Sequence, residues 1–147
     1  MIAVVQRVKN ASVTIEKNEV RRIGRGLVIL LGVGNKDDSE DIEYIARKVV
    51  GLRIFPDDSG KMNLSVEDIR GDLLVVSQFT LYGDSRKGKR PDFTQAAQPK
   101  MAEEFYNRFV DALKKTNLTI ETGVFSSDML VEIHNDGPVT LILNSNQ

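Results

Sequence analysis

Leu73-Leu74-Val75-Val76-Ser77-Gln78-Phe79-Thr80-Leu81-Tyr82-Gly83-Asp84 is the stretch around which the remainder of the chain is ordered. Leu73 to Val76 is an unbroken apolar run, the pattern of a strand covered on both faces. It then turns abruptly into Ser77, Gln78 and Thr80 around Phe79. Hydroxyls and an amide at the end of a buried strand must be paired, because each unsatisfied group costs about 1–3 kcal/mol. Composition alone favours a network that pins the strand to a neighbour; a bound ligand is the other way to satisfy these groups.

Working outward, 147 residues with 41% hydrophobic content suit one domain with one core. Residues 2–8, 12–16, 20–24 and 27–33 have strand patterns, with Lys17-Asn18 and Gly24-Arg25-Gly26 as connections. Leu27 to Val33 is nearly all apolar and belongs in the sheet centre. Ile42, Ile45, Ala46, Val49 and Val50 recur at helical spacing, with Asp38 or Ser39 available as a cap and Glu40 and Asp41 in the first turn. Leu52 to Phe55 is extended, and Pro56-Asp57-Asp58-Ser59-Gly60 is a turn whose acidic pair lacks the spacing of a calcium loop.

A second helix starts near Pro99 and offers Ala102, Phe105, Phe109, Ala112 and Leu113 to the core, with Lys114 and Lys115 at its end. Closing strands are expected around 118–122, 129–134 and 139–143. The sum is an α/β protein with two helices packed on a mixed sheet that curves on itself.

Several function classes are excluded by what is missing. There are no cysteines, so disulfides, thiolate nucleophiles and Cys-based metal sites fall away. One histidine, His134, leaves no histidine-based metal site and only one base for a Ser-His-Asp triad. It lies inside a predicted strand, where a lone histidine is usually structural. No phosphate-binding loop or dinucleotide fingerprint is present, and no cofactor or metal is expected. No apolar run approaches the roughly 18 residues of a membrane span, and the N-terminus lacks a leader pattern, so the expectation is a cytoplasmic protein without a membrane partner. A net charge of −1 argues against binding DNA or RNA through the overall field. RNA contact must then be local, and the densest basic run, Arg86-Lys87-Gly88-Lys89-Arg90, follows the opening stretch directly. Such runs are usually solvated loops, but one beside a pocket could hold the phosphates of an RNA end.

Asn135-Asp136-Gly137-Pro138-Val139-Thr140 is a second unusual stretch. Together with Ser77-Gln78-Phe79-Thr80-Leu81 it resembles the signature motifs of the D-aminoacyl-tRNA deacylases. Further blocks in the same order carry the resemblance along the chain: Ile2-Ala3-Val4-Val5-Gln6-Arg7-Val8, Leu52-Arg53-Ile54-Phe55, Gly60-Lys61-Met62-Asn63, Gly88-Lys89-Arg90-Pro91 and Thr122-Gly123-Val124-Phe125. The resemblance implies a single compact three-layer α/β domain, residues 1–147, that forms a homodimer. It also implies hydrolysis of the ester of D-aminoacyl-tRNA, with glycyl-tRNA as a second substrate. The rival from another class is a non-catalytic module of the same fold that binds an RNA end or a small ligand.

The residues themselves offer an uncharged inventory of Ser77, Gln78, Thr80 and nearby backbone amides. That is poor equipment for a stable bond. An aminoacyl ester is already activated and carries a vicinal ribose hydroxyl, so it needs positioning and an oxyanion hole more than a strong base. The resemblance implies that the terminal 2′-hydroxyl of the tRNA assists, that amides around Phe79 and Thr80 hold the carbonyl, and that Ser77 and Gln78 shape the pocket. Thr80 has two readings: a nucleophile, which needs a base that the sequence does not show, or a strand threonine whose hydroxyl fixes the pocket, which is preferred. Phe125 and Met129 resemble pocket-wall positions, and ordinary core explains them equally well.

Asp136-Gly137 alone is a hairpin turn, and a proline after glycine is expected to be trans. The resemblance instead implies a cis Gly137-Pro138 inserted into the partner subunit's pocket. There its carbonyls would grip the substrate ammonium and fill the space of an L side chain. Ser126-Ser127 stand where relatives commonly have a Gly-Ala pair.

Overall fold

The computed structural model describes residues 1–16 and 18–146. Strand β1 (Ile2–Ile15) is the spine of the sheet. Its first half pairs antiparallel with β3 (Gly26–Gly32), its second half with β2 (Glu19–Ile23), and its other edge along nearly the whole length with β8 (Met129–Asn144). From β3 the sheet continues in parallel through β6 (Asp72–Ser77) to β7 (Ile120–Thr122). The far edges then approach each other: Arg21 on β2 donates through Nη1 to the carbonyl and hydroxyl of Thr122 on β7, at 2.7 and 3.1 Å. The mixed sheet is thus curved into a nearly closed barrel.

Helices α1 (Ser39–Gly51) and α2 (Pro99–Lys114) cover one face. The sequence dictates where α1 starts. Asp38 accepts from the amides of Glu40 and Asp41, and the Asp41 carboxylate in turn accepts from the Asp38 amide, a reciprocal cap that satisfies orphan donors. Between helices and sheet lies one apolar layer holding Leu27, Ile29, Leu31, Leu73 and Val75. Inside the curl lies another, holding Val28, Leu74 and Val76 from the same two strands. Alternate residues of β3 and β6 therefore serve two cores, the reason those strands are continuously apolar. Among the described residues no helix is long and apolar enough to cross a membrane.

Several boundaries differ from expectation. Strands 2–8 and 12–16 are one strand, whose register slips opposite β8 around Arg7 and Lys9; the polar Lys9-Asn10 marks an irregularity rather than an end. The connection expected at Lys17-Asn18 falls partly on Lys17, outside the described residues, while the Asn18 amide closes on the Ile15 carbonyl at 3.1 Å. The extended Leu52–Phe55 segment contributes only its last residue to a small hairpin, β4 (Phe55–Pro56) with β5 (Met62–Leu64). On α2, Ala102, Phe109 and Leu113 are buried as expected, but Phe105 and Ala112 are half-buried and the seam is completed by Tyr106 and Val110. Tyr106 belongs there because its hydroxyl donates to the Val75 carbonyl on the central strand, at 2.8 Å.

Two corrections bear on function. The strand β6 ends at Ser77, and Phe79–Tyr82 forms one turn of 3-10 helix, so Thr80 is not a strand threonine. The closing segments 129–134 and 139–143 are a single strand, so Asp136-Gly137 is not a hairpin turn. Asn135 faces Val8 and Thr140 faces Gln6, leaving Asp136 to Val139 as an excursion opposite the single residue Arg7.

Candidate active site

Three parallel strands end on the same side, and the C-terminal ends of parallel strands are where sheets of this kind open a crevice. After β6 come Gln78 and the 3-10 turn; after β7 comes the loop 123–128. Between them is a cavity of about 320 Å³, walled on one side by Val76, Ser77, Gln78 and Phe79 and on the other by Phe125, Ser127, Asp128 and Met129.

Close contacts hold both walls. The Gln78 amide donates to the Leu31 carbonyl at 2.8 Å, and the Leu81 amide returns to the Gln78 carbonyl at 3.2 Å. The chain after β3 must let this turn approach: a Cβ on Gly32 would lie 3.1–3.3 Å from the Gln78 carbonyl, Leu81 and Tyr82. The Gln78 side-chain amide donates to the Thr80 hydroxyl, which is exposed and has no basic side chain as a hydrogen-bond partner among the described residues. On the opposite wall, Met129 accepts from the Val124 amide through its sulfur at 3.3 Å and packs where a Cβ on Gly123 would sit. Phe125 is half-buried, its ring 6.3 Å from that of Tyr106.

Most informative is what the turn leaves bare. As the first residues of a 3-10 turn, Phe79 and Thr80 have no carbonyl one turn behind to bond, and neither amide finds an acceptor among the described residues. Two N–H donors thus stand on the turn that begins at the cavity wall with Phe79, whose ring is 55% exposed. Asp128 is the one ionisable side chain in the lining, and it is exposed.

The structure brings together Ser77, Gln78, Phe79, Phe125 and Met129, with Thr80 on the adjoining turn. It does not bring Gly137 and Pro138 to that cavity within one chain. Both are exposed on the β8 excursion, about eight residues from Met129, which is roughly 25 Å of extended chain. The Gly137–Pro138 peptide is cis, as the resemblance implied, and Gly137 has a φ of 124°, a region that favours glycine.

The excursion is fastened from below by Arg7, a residue that the sequence reading noticed only as part of a block. Its Nε donates to the Asp136 carbonyl at 3.1 Å, its Nη1 to the Ile54 carbonyl at 2.5 Å, and Nε lies 3.4 Å from the Asp136 carboxylate. From above, the Asn135 side chain accepts from the Val139 amide and donates to the Thr140 hydroxyl, each at 2.9 Å. A signal for Arg7 existed: it is a charge at an inward position of a strand whose other inward residues, Ala3 and Val5, are core. His134 is exposed on β8, away from the cavity. Its neighbour across the sheet is Asn10, and the nearby Ser12 donates to its own cross-strand partner Glu132 at 3.0 Å, so Ser12 and His134 form no triad among the described residues.

Residues 4–144 match the family described as D-Tyr-tRNA(Tyr) deacylase. The chain belongs to the D-Tyr-tRNA(Tyr) deacylase family. A D-aminoacyl-tRNA deacylase of Thermosipho africanus (strain TCF52B) is 57% identical over 145 residues, 99% of this chain and 97% of the relative. One from Clostridium botulinum (strain Alaska E43 / Type E3) is 56% identical over 147 residues, 100% of this chain and 99% of that one. Among solved structures, a c-Myc DNA Unwinding Element Binding Protein superposes with a TM-score of 0.92 at 46% identity, covering 98% of both chains. A probable eukaryotic D-amino acid tRNA deacylase superposes with a TM-score of 0.83 at 17% identity, covering 97% of each, a likeness of fold alone. Deacylase family membership thus covers the cavity, the 3-10 turn and the β8 excursion in one alignment.

Proposed function

We propose that this chain hydrolyses the ester between a D-amino acid, or glycine, and the 3′ end of tRNA, acting in the cytoplasm as a homodimer without metal or cofactor. The observation that carries the reading is the pair of unbonded amides of Phe79 and Thr80 on the 3-10 turn that leaves the cavity wall. Two N–H groups fixed by a turn are suited to a carbonyl oxygen that becomes negative as water adds, and they pay no reorganisation when it does. Ser77 and Gln78 shape the floor, and Phe125 and Met129 the wall. Water is activated by the vicinal 2′-hydroxyl of the substrate. The Thr80 hydroxyl, already taken by Gln78, holds the turn.

Selection by handedness is assigned to Gly137 and Pro138 of a second copy. Support comes from three features. The excursion cannot reach its own cavity, it is fastened rigidly by Arg7 and Asn135, and Gly137 and Pro138 at its crest are exposed. The outer edge of β8 has no strand partner among the described residues, and Leu130 and Ile142 on it are 64% and 72% exposed. A long bare edge with apolar side chains is a surface that a second copy covers. In the closed site the rigid main chain would occupy the volume of an L side chain, while a D side chain points outward and glycine has none to exclude.

The test is release of amino acid from D-tyrosyl-, L-tyrosyl- and glycyl-tRNA. Rapid hydrolysis of the first and third with the second spared is expected. Equal D and L rates would remove the exclusion mechanism, and binding without hydrolysis would favour the module that only holds an RNA end.

A further inference from the structure

We propose that the hairpin Asp84–Asp92, with the ring pair Phe79 and Phe93 at its foot, is a docking track for the single-stranded 3′ end of RNA, gripping phosphates through Lys87, Lys89 and Arg90. This rests on the reading that the scissile ester is carried on tRNA, and it assigns to the hairpin the job of holding the nucleic acid behind it.

The hairpin has a definite position. The amides and carbonyls of Asp84 and Asp92 exchange two hydrogen bonds of 2.8 Å, closing its base. Phe93, just beyond, lies edge-on to Phe79 with ring centroids 5.1 Å apart and planes at 66°. Gly83 makes that contact possible, since a Cβ there would meet the Phe93 ring at 3.0 Å. Phe79 is also part of the cavity wall, so one aromatic step leads from the site of the ester to the hairpin. Both rings keep substantial exposure, 55% and 37%, and a pair of bare rings on a pocket lip is a platform on which a base can stack.

The charges on the hairpin are unequal in a telling way. Arg86 is bound to Asp84 through both Nε and Nη2, at 2.6–3.0 Å. The Asp92 carboxylate accepts from the Thr94 amide at 2.6 Å. Both acids of the hairpin are therefore engaged, and Lys87, Lys89 and Arg90 have no carboxylate within ion-pair distance among the described residues. Gly88 between the lysines has a φ of 88°, which lets the tip turn so that both flank it. The hairpin borders a concavity of about 910 Å³ lined by Lys87 and Arg90 and by the paired Asp84 and Arg86, with the Thr94-bonded Asp92 on the same wall. On a chain whose net charge is −1, three free cations, a concave surface and exposed rings in series form the local combination that single strands use: phosphates along a basic groove, bases on aromatic faces.

The experiment uses an uncharged RNA minihelix with a single-stranded 3′ end, followed by fluorescence anisotropy over a salt series, beside a blunt version. Wild type should bind the overhang form more tightly than the blunt form. Lys87→Gln with Lys89→Gln should weaken overhang binding on the order of tenfold and flatten the slope of log K against log salt by about 1.4, two phosphate contacts at about 0.7 each. Arg90→Gln alone should flatten it by about 0.7. A charge-matched pair away from the hairpin, Lys48→Gln on α1 with Lys115→Gln just after α2, should leave affinity and slope unchanged. Hairpin variants indistinguishable from that control, or a wild type indifferent to the overhang, would overturn the proposal. Its failure is separable from that of the hydrolytic reading. A wild type that binds the overhang through these residues but releases no D-amino acid sinks the reaction alone, and one that hydrolyses while the hairpin variants bind normally sinks the track alone.

Discussion

In the proposed reading, Arg7 is where structure converts most directly into a measurable loss of selectivity. Arg7→Met keeps a long apolar stem in the same slot and removes the guanidinium. Two charged hydrogen bonds go with it, to the Asp136 and Ile54 carbonyls, together with the 3.4 Å approach to the Asp136 carboxylate. Hydrogen bonds to charged groups contribute about 1.5–3 kcal/mol each, so the loss is about 3–6 kcal/mol. The bond to Ile54 is buried, that to Asp136 is partly buried, and Arg7 itself is only 8% exposed, so water does not replace the bonds cheaply. Urea titration measures the stability term, and the midpoint should fall accordingly. The functional term is the ratio of D- to L-tyrosyl-tRNA hydrolysis in protein shown to be folded. An excursion no longer held from below should admit L substrates, and a positional slack worth only about 1.4 kcal/mol already costs a factor of ten in that ratio. Arg7→Lys should behave similarly, because one ammonium cannot serve two carbonyls on opposite sides as the planar fork does. A folded Arg7→Met protein with the wild-type D/L ratio would refute the link between this fastening and chirality.

Thr80→Ala should retain most turnover on D-tyrosyl-tRNA, whereas wild type should lose it on tRNA ending in 2′-deoxyadenosine; single-turnover rates decide, and a dead Thr80→Ala with normal binding would make the hydroxyl a nucleophile after all. Asp128→Asn probes the one carboxylate lining the cavity and should change the rate little, a collapse in its pH profile being the sign of a protein base. Ser126 has a φ of 60°, a left-handed conformation that disfavours a side chain by about 1–2 kcal/mol, so Ser126→Gly should raise the urea midpoint modestly. Asp37→Asn should cost about 3–5 kcal/mol in the same measurement, since that carboxylate faces the fully buried Met1 ammonium at 2.6 Å and accepts the Gly34 amide at 2.6 Å. It should also let Tyr82 ionise at lower pH, because burial first and the Asp37 charge second hold that phenol well above its ordinary value.

The two core strands and both helices were legible because their signals are local: unbroken apolar runs bounded by turn residues, and a helical repeat behind an acidic cap. What escaped was set by pairing across the sheet. Lys9-Asn10 in β1 and Asp136-Gly137 in β8 look like breaks, yet each strand runs on because the other, lying alongside, supplies hydrogen bonds on both sides of the irregularity. A hairpin turn and an excursion within a continuous strand share the same residues; only the partner's register tells them apart. The end of β6 is hidden from the sequence for a similar reason. Thr80 has strand propensity, but the tight approach of Gly32 and the Leu31 carbonyl bends the chain into a 3-10 turn.

In the proposed reading that bend is also what gives its chemistry to a site whose lining holds a single exposed carboxylate, Asp128. Had β6 continued, the Phe79 and Thr80 amides would have been spent on a neighbouring strand, and a short helical turn is the local structure that leaves its first donors unbonded while fixing their direction. The same economy applies to the β8 excursion. A side chain that discriminated between mirror-image substrates would have rotamers and would yield; main chain clamped between a buried arginine and an asparagine has neither freedom. In the proposed reading both the oxyanion and the handedness are therefore handled by backbone, with side chains acting as its supports. Mutational sensitivity should then concentrate in the supports, Arg7, Asn135 and Gly32, rather than in the hydroxyls that line the cavity, and a scan in which Ser77 and Thr80 dominated instead would contradict that division of labour.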